Sequence, residues 1–427
     1  MGTRGKRDPV NVPVGPALLR AACMILVAVA GAHTIPSSQA QTVVSSGRAV
    51  ASKPVAVTTS VQFTPVAFRE LPEWGKDDHA SALAAFMRSC DLVIKASRAG
   101  NKAGATPTTP ALLKACDDAL KNAGKPVTAA AARAFFEINF VPHAVVHAGP
   151  SGLLTGYYEP TVEGARQRSA KFPIPLYRRP PELVNLVEET ERGAKGHALT
   201  HGRQTGTGVE PFATRAEIEQ GALKGRGLEL AYLPSAVDAF FLQVQGSGRI
   251  VLPDGSHMRI TYDGKNGHPY MSVGRHLIDS GHFTVASMSL AALSDWLKAD
   301  AERGRRAMWQ NKSYVFFREL TGDEATRGPQ GVLHIPLATG RSLAVDTGVH
   351  AIGTPIYVSS PALTHAGSAT GFNRLMVAHD VGSAIKGPER GDIYFGSGAD
   401  AGKIAGVTKH PGRFFVLLPH GSPTRTP

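Results

Sequence analysis

Cysteine is nearly absent from this 427-residue chain, with three in all. That is too few for a disulfide scaffold, and no Cys-x-x-Cys pair is present to build a zinc ribbon. Aromatic residues are sparse at 7%. Beyond the N-terminus, no uninterrupted apolar run reaches the roughly 18 to 20 residues of a membrane span, which excludes a polytopic membrane protein. Acidic residues are outnumbered, 34 against 46 Lys and Arg, leaving a formal charge of +12. Such a surplus suits anionic partners: nucleic acid, acidic lipid, or an anionic polymer such as bacterial cell wall. His-Glu-x-x-His and Gly-x-Ser-x-Gly are also missing, so zinc proteases and α/β-hydrolases find no support.

Glycine and proline, by contrast, are plentiful at 46 and 30 residues. With 42% hydrophobic and 19% charged residues, the chain has the means to bury a core and does not read as disordered. Many turns around a sizeable core predict a β-rich protein of two or three domains.

Residues 1–40 read as a secretory signal. Arg4, Lys6, Arg7 and Arg20 give a basic start, residues 21–32 are almost wholly apolar, and Ser38-Gln39-Ala40 offers a small-x-small cleavage pattern. Cys23 precedes most of the apolar stretch, and Arg20 stands where a lipobox requires an aliphatic residue, so no lipid anchor is expected. An exported protein rarely meets nucleic acid, and the basic surplus therefore points to the cell wall. Residues 41–60 form a small, polar leader expected to be flexible. The remaining Cys90 and Cys116 are predicted to pair in an oxidising compartment, two buried free thiols being the alternative.

Three helices are expected early. The first is capped by Asp77 and Asp78, with Leu83, Phe86, Cys90 and Val93 on its apolar face. The second opens at Thr109-Pro110 and carries Leu112 and Cys116; the third runs from Thr128 to about Phe136. A loop is read over 97–107, and a later helix over 289–298. Strand-like runs fill much of the rest: 152–160, 172–177, 239–252, 258–262, 314–317, 333–336, 343–345, 356–358, 375–378, 392–395 and 413–418. No internal repeat is visible.

Two motifs are weighed and set aside. His143 and His147 have metal-like spacing, but the valines between them predict a strand, which holds the two about 13 Å apart. Gly396-Ser-Gly398-Ala-Asp-Ala401 matches a dinucleotide fingerprint in form, but no acidic residue follows about twenty positions on, so it is read as a glycine-rich turn. More telling are Val345-Asp346-Thr-Gly, His379-Asp380-Val-Gly and Arg390-Gly-Asp392-Ile-Tyr394, which each set an aspartate at a strand end beside glycine. Three of these so close in sequence suggest a carboxylate cluster.

Around these aspartates the chain resembles the membrane-bound lytic murein transglycosylase A (MltA) family, whose C-terminal part is a three-aspartate (3D) domain. The resemblance rests on Leu154-Thr-Gly-Tyr-Tyr-Glu-Pro160, Phe241-Leu-Gln-Val-Gln-Gly-Ser-Gly-Arg249, Tyr262-Asp-Gly-Lys-Asn-Gly-His268 and Asp380-Val-Gly-Ser-Ala-Ile-Lys-Gly387 followed by Asp392-Ile-Tyr. It runs from about Phe63 to Leu418. It implies a mainly β fold: a double-psi β-barrel over 61–155 and 323–427 with N-terminal helices, a second β-barrel domain inserted at 156–322, and a glycan groove between them.

The resemblance makes Asp392 the catalytic residue, with Asp346 and Asp380 in support. By analogy and polarity, Thr155, Tyr157, Gln243, Gln245, Ser247, Arg249, Lys265, Lys386 and Tyr394 are expected to bind substrate. Ser383 departs from the family, which commonly has a second glycine there, and so adds a side chain near the site. No metal and no cofactor is implied. The expected partner is the peptidoglycan glycan strand, with proteins of cell-wall synthesis or division as further candidates. A periplasmic monomer, associated with the outer membrane, is the expected setting.

The implied activity is cleavage of the MurNAc–GlcNAc β-1,4 bond with closure of a 1,6-anhydroMurNAc ring. A hydrolytic muramidase on the same scaffold and a non-catalytic wall-binding module are the alternatives. Hydrolases generally need two carboxylates. Internal attack by the sugar's own C6 hydroxyl, with an effective molarity of about 10⁵ M or more, lets positioning replace the second.

Overall fold

The computed structural model describes residues 61–98, 110–121, 123–187 and 199–421. The expected signal, the leader and Cys23 lie outside the described residues, as does most of the loop expected over 97–107.

The N-terminal helices form where the caps predict. Asp78 accepts the Ser81 N–H at 3.1 Å and opens the helix His79–Arg98. Asp77 is diverted: its carboxylate takes a two-pronged bond from Arg341, at 2.9 and 2.8 Å. A second helix spans Pro110–Leu120, and Thr128 caps a third, Ala129–Asn139, by accepting the Ala131 N–H. Cys90 and Cys116 are disulfide-bonded, their Cα atoms 5.0 Å apart, which ties the first two helices together. The helices bury Phe86 and Phe136 beside Phe140 and against Tyr357, Leu375 and Leu417 of the main sheet. Each such phenylalanine contributes about 2 to 3 kcal/mol of burial.

That sheet has nine strands in the order Gln62–Pro65, Phe140–Val146, Arg413–Pro419, Pro355–Ser360, Phe372–Val381, Ser342–Val345, Arg390–Ser397, Leu153–Glu159 and Lys409–Pro411. It is mixed: Ser342–Val345 runs parallel to Phe372–Val381, and Arg390–Ser397 parallel to Leu153–Glu159. A four-stranded sheet follows, Val315–Leu320, His257–Lys265, Ser247–Val251 and Thr161–Glu163, with smaller two- and three-stranded sheets beside it in sequence. Among the described residues the hydrogen-bonded strand order closes none of these sheets into a ring. The strand Leu153–Glu159 pairs within the nine-stranded sheet, and the chain enters the four-stranded sheet with the next strand, Thr161–Glu163.

Three stretches depart from the sequence reading. Residues 239–252 are not one strand. Ala236–Gln245 is a helix, because Ser235 accepts the Val237 and Asp238 N–H groups and Gly246 takes the left-handed φ of +77° that ends it. Caps and burial of Val237 and Phe240 outweigh the strand preference of the aromatic and β-branched residues. Residues 333–336 form a short 3₁₀ turn and a single bridge, Gln330 to Pro336. The Gly396–Ala401 motif is more than a turn: it opens the helix Gly398–Val407. The strand that follows, Lys409–Pro411, pairs antiparallel to Leu153–Glu159, so no dinucleotide-type βαβ unit results.

Candidate active site

One lateral row of the nine-stranded sheet assembles the chemistry. Strand register sets Asp380 beside Ala344, Ala344 beside Asp392, and Asp392 beside Thr155. Paired residues share a face, so the small Ala344 separates two carboxylates whose Cα atoms lie about two strand spacings, or roughly 10 Å, apart. A register irregularity beside His379 brings Asp380 onto this face: Leu343 pairs with Ala378, but Ala344 pairs with Asp380. Gly391 permits the close packing next to Asp392, since a Cβ there would come within 2.7 Å of the Phe414 ring.

The row opens into a cleft of about 450 Å³. One wall carries Asp380, Asp392, Tyr157 and the loop around Ser383. The other carries Gln243, Gln245, Ser247, Lys265 and Tyr270. Lys265 Nζ donates to Ser383 Oγ at 3.2 Å and so bridges the walls.

Asp392 is partly buried, and burial raises its carboxyl above the ordinary aspartate value. The Arg390 charge and a hydrogen bond from Thr155 act the other way. The Tyr157 phenol faces the same carboxylates; burial and the Asp380 charge raise its pKa well above the usual tyrosine value. Asp380 accepts the Val381 N–H at 2.9 Å. Asp346 accepts the N–H groups of Gly348 at 3.0 Å and Gly387 at 2.8 Å. Asp346 therefore ties the far root of the loop 381–387 to the turn at Gly348, while Asp380 caps its own neighbour at the near root, and Ile385 of that loop packs with Tyr157, Leu337, Ala344 and Tyr394.

Residues 153–318 match the family description "MltA specific insert domain", and residues 341–418 match "3D domain". A relative named membrane-bound lytic murein transglycosylase A, from Vibrio cholerae, is 35% identical over 279 residues, covering 64% of this chain and 67% of that protein. The crystal structure of a membrane-bound lytic murein transglycosylase from Agrobacterium tumefaciens is 37% identical with a TM-score of 0.74, covering 84% of this chain and 98% of that one. The chain belongs to the MltA family. E. coli MltA, solved with bound chitohexaose, is a further structural neighbour at 29% identity and a TM-score of 0.59, covering 84% of this chain and 94% of its own.

Not every residue expected from the MltA resemblance reaches the cleft. Tyr157, Gln243, Gln245, Ser247, Lys265, Asp380 and Asp392 line it. Thr155 sits behind, touching Asp392 rather than the cleft. Asp346 lies off the cleft, bound to its two backbone amides. Lys386 lies at the surface beside Asp346; partial burial of its ammonium lowers its pKa, and the Asp346 charge opposes that shift. Tyr394 is 2% exposed and packs beneath Tyr157, ring centroids 5.3 Å apart, because it follows Asp392 by two on the same strand face. Its pKa is pushed up to about 12 by burial. Arg249 points elsewhere too, pairing with the fully buried Glu159 at 3.4 Å.

Three polar groups escaped the sequence reading. Glu159 is held by Arg249, by Arg259 at 2.8 Å and by Ser397. Arg215, 1% exposed, lines the insert wall and donates to Gln243 Oε1 and to the carbonyls of Asn311 and Ser313. Beyond Glu219, four positions on, its partners lie 28 to 98 positions away, so of these two only Glu159, inside the quoted motif Leu154-Thr-Gly-Tyr-Tyr-Glu159-Pro, carried any signal. The third is Arg390. His143 and His147 go separate ways, to the Val141 carbonyl and to Glu389. Among the described residues no group of three or more His, Cys, Asp or Glu could hold a metal, and no helix is long and apolar enough to cross a membrane.

Proposed function

We propose that this chain is a peptidoglycan lytic transglycosylase that cleaves the MurNAc–GlcNAc β-1,4 bond and leaves 1,6-anhydroMurNAc ends, with Asp392 as the sole general acid and base. The observation that carries this reading is Asp392 itself: a carboxyl at the floor of a cleft, with burial favouring its protonated form. A protonated acid can deliver its proton to the glycosidic oxygen as the C1–O bond breaks. The resulting carboxylate then takes the proton of the C6 hydroxyl while O6 bonds to C1. No water enters and the proton count closes on Asp392. Names of relatives as murein transglycosylases, and the chitohexaose bound by one of them, support a β-1,4-linked amino-sugar polymer as substrate.

In this reading Asp346 and Asp380 shape the cleft by anchoring the loop 381–387. Gln243, Gln245, Ser247 and Lys265 grip the glycan. The nine-stranded sheet with its helices is the family's double-psi β-barrel domain, and the segment up to about residue 322 is the inserted barrel. Export through residues 1–40, residence in the periplasm at the outer membrane, a monomeric state, and partners in wall synthesis or division complete the proposal.

The test is a digest of purified sacculi read by mass spectrometry. Anhydro-ended muropeptides, absent with Asp392→Asn, support the proposal. Products heavier by one water would assign a muramidase, with Asp380 as the second carboxylate. Sacculus binding without soluble products would assign a wall-binding module.

A further inference from the structure

Arg390 reaches Asp392 indirectly. Its Nη1 donates to the backbone carbonyls of Leu153 and Gly391, which fixes the plane of the guanidinium. Its Nη2 donates to Thr155 Oγ1 at 2.8 Å, and Thr155 Oγ1 in turn donates to Asp392 Oδ1. The parallel register that pairs Arg390 with Leu153 and Asp392 with Thr155 builds this chain of contacts. A slip of one residue would turn Thr155 to the other face.

We propose that Arg390 is a positioning residue that acts through Thr155 to fix which oxygen of Asp392 carries the transferable proton. A guanidinium only donates hydrogen bonds, whereas a threonine hydroxyl has one proton to give. Arg390 occupies a lone pair of Thr155 Oγ1, and among the described residues the acceptor of that hydroxyl's proton is Asp392 Oδ1. Oδ1 is thereby an acceptor, and the acid's own proton resides on Oδ2. The proton is held on one oxygen before substrate arrives, which removes an orientational search from the transfer step. The same relay stabilises the carboxylate, so it also limits how far burial raises Asp392.

The inference rests on Asp392 being the general acid, and the experiment separates the two. kcat and KM on sacculi are measured against pH for wild type, Arg390→Gln, Thr155→Val, Thr155→Ser and Asp392→Asn. Arg390→Gln and Thr155→Val are expected to lower kcat about 10- to 100-fold with little change in KM. Activity needs the protonated acid and is lost as pH rises through its pKa. Removing either stabiliser of the carboxylate therefore moves the basic limb to higher pH. Thr155→Ser keeps the hydroxyl and restores both kcat and the limb, and a variant combining Arg390→Gln with Thr155→Val is no worse than the poorer single one.

Wild-type kcat and an unmoved basic limb in Thr155→Val, alongside an inactive Asp392→Asn, overturn the relay and leave the acid assignment standing. Normal turnover by Asp392→Asn overturns both. If Arg390→Gln does not fold, the contrast of Thr155→Val with Thr155→Ser carries the test.

Discussion

Two acidic residues occupy the two ends of one parallel strand pair, and their surroundings could hardly differ more. Asp392 pairs with Thr155 at one end; Ser397 pairs with Glu159 at the other. Glu159 is fully buried between two guanidiniums, Arg249 and Arg259, with Ser397 as a further donor. Asp392 faces a cleft, with one hydroxyl on Oδ1 and a single arginine beyond it. Abundant compensation by two arginines and a hydroxyl makes a carboxylate structural. Sparse compensation together with burial favours the protonated form that the proposed general acid requires.

The sharpest way to break this contrast is to neutralise each acid in turn. Asp392→Asn should lower turnover by about 10³-fold, mid-range for general acid–base catalysis, yet raise the melting temperature at neutral pH. The sign follows from a folded pKa above the unfolded one: the stability that Asp392 contributes is complete at acid pH and is lost as pH rises through its folded value. Asparagine escapes that loss. Glu159→Gln should do the reverse. It leaves two arginines without their partner at a buried site, at a cost of about 3 kcal/mol, while kcat per folded molecule stays within a few-fold. Thermal melts beside active-site-normalised rates check both; a stable, inactive Glu159→Gln would erase the distinction.

A smaller effect concerns His379, the buried residue at the register irregularity. Its pKa is lowered to about 3 by burial, with the Arg88 charge adding to the effect, and its Nδ1 meets Ser342 Oγ at 2.8 Å. Here the sign is opposite to that of Asp392. Stability is full above the ordinary histidine value of 6.5 and declines as pH falls toward about 3. The loss should be on the order of a few kcal/mol, visible as a falling denaturation midpoint, and should be blunted in His379→Gln.

How much of this the sequence disclosed follows from the range of the interactions. Helix caps such as Asp78 and Thr128 act within three residues and were legible. Cys90 and Cys116 were legible as apolar-face neighbours on adjacent helices. The strands bearing Asp380 and Asp392, and the one that ends just before Asp346, were visible as short apolar runs close to glycine. Illegible were the contacts made by register: Arg390 with Thr155, 235 positions apart, and Glu159 with Arg259, 100 apart. The helix Ala236–Gln245 was misread because aromatic and β-branched residues share a local preference for strands, while its caps and burial decide otherwise. Arg249 and Tyr394 were assigned to substrate by polarity, which does not reveal whether a buried partner has already claimed the group.

The most direct test of the central claim is a carbon-13 titration of carboxyl-labelled aspartate in the folded protein, with the Asp392 signal assigned by its disappearance in Asp392→Asn. A resonance that stays protonated above the ordinary aspartate range, and that rises further when Thr155 becomes valine, is the predicted result. A signal that ionises at the value of an exposed aspartate would contradict the account.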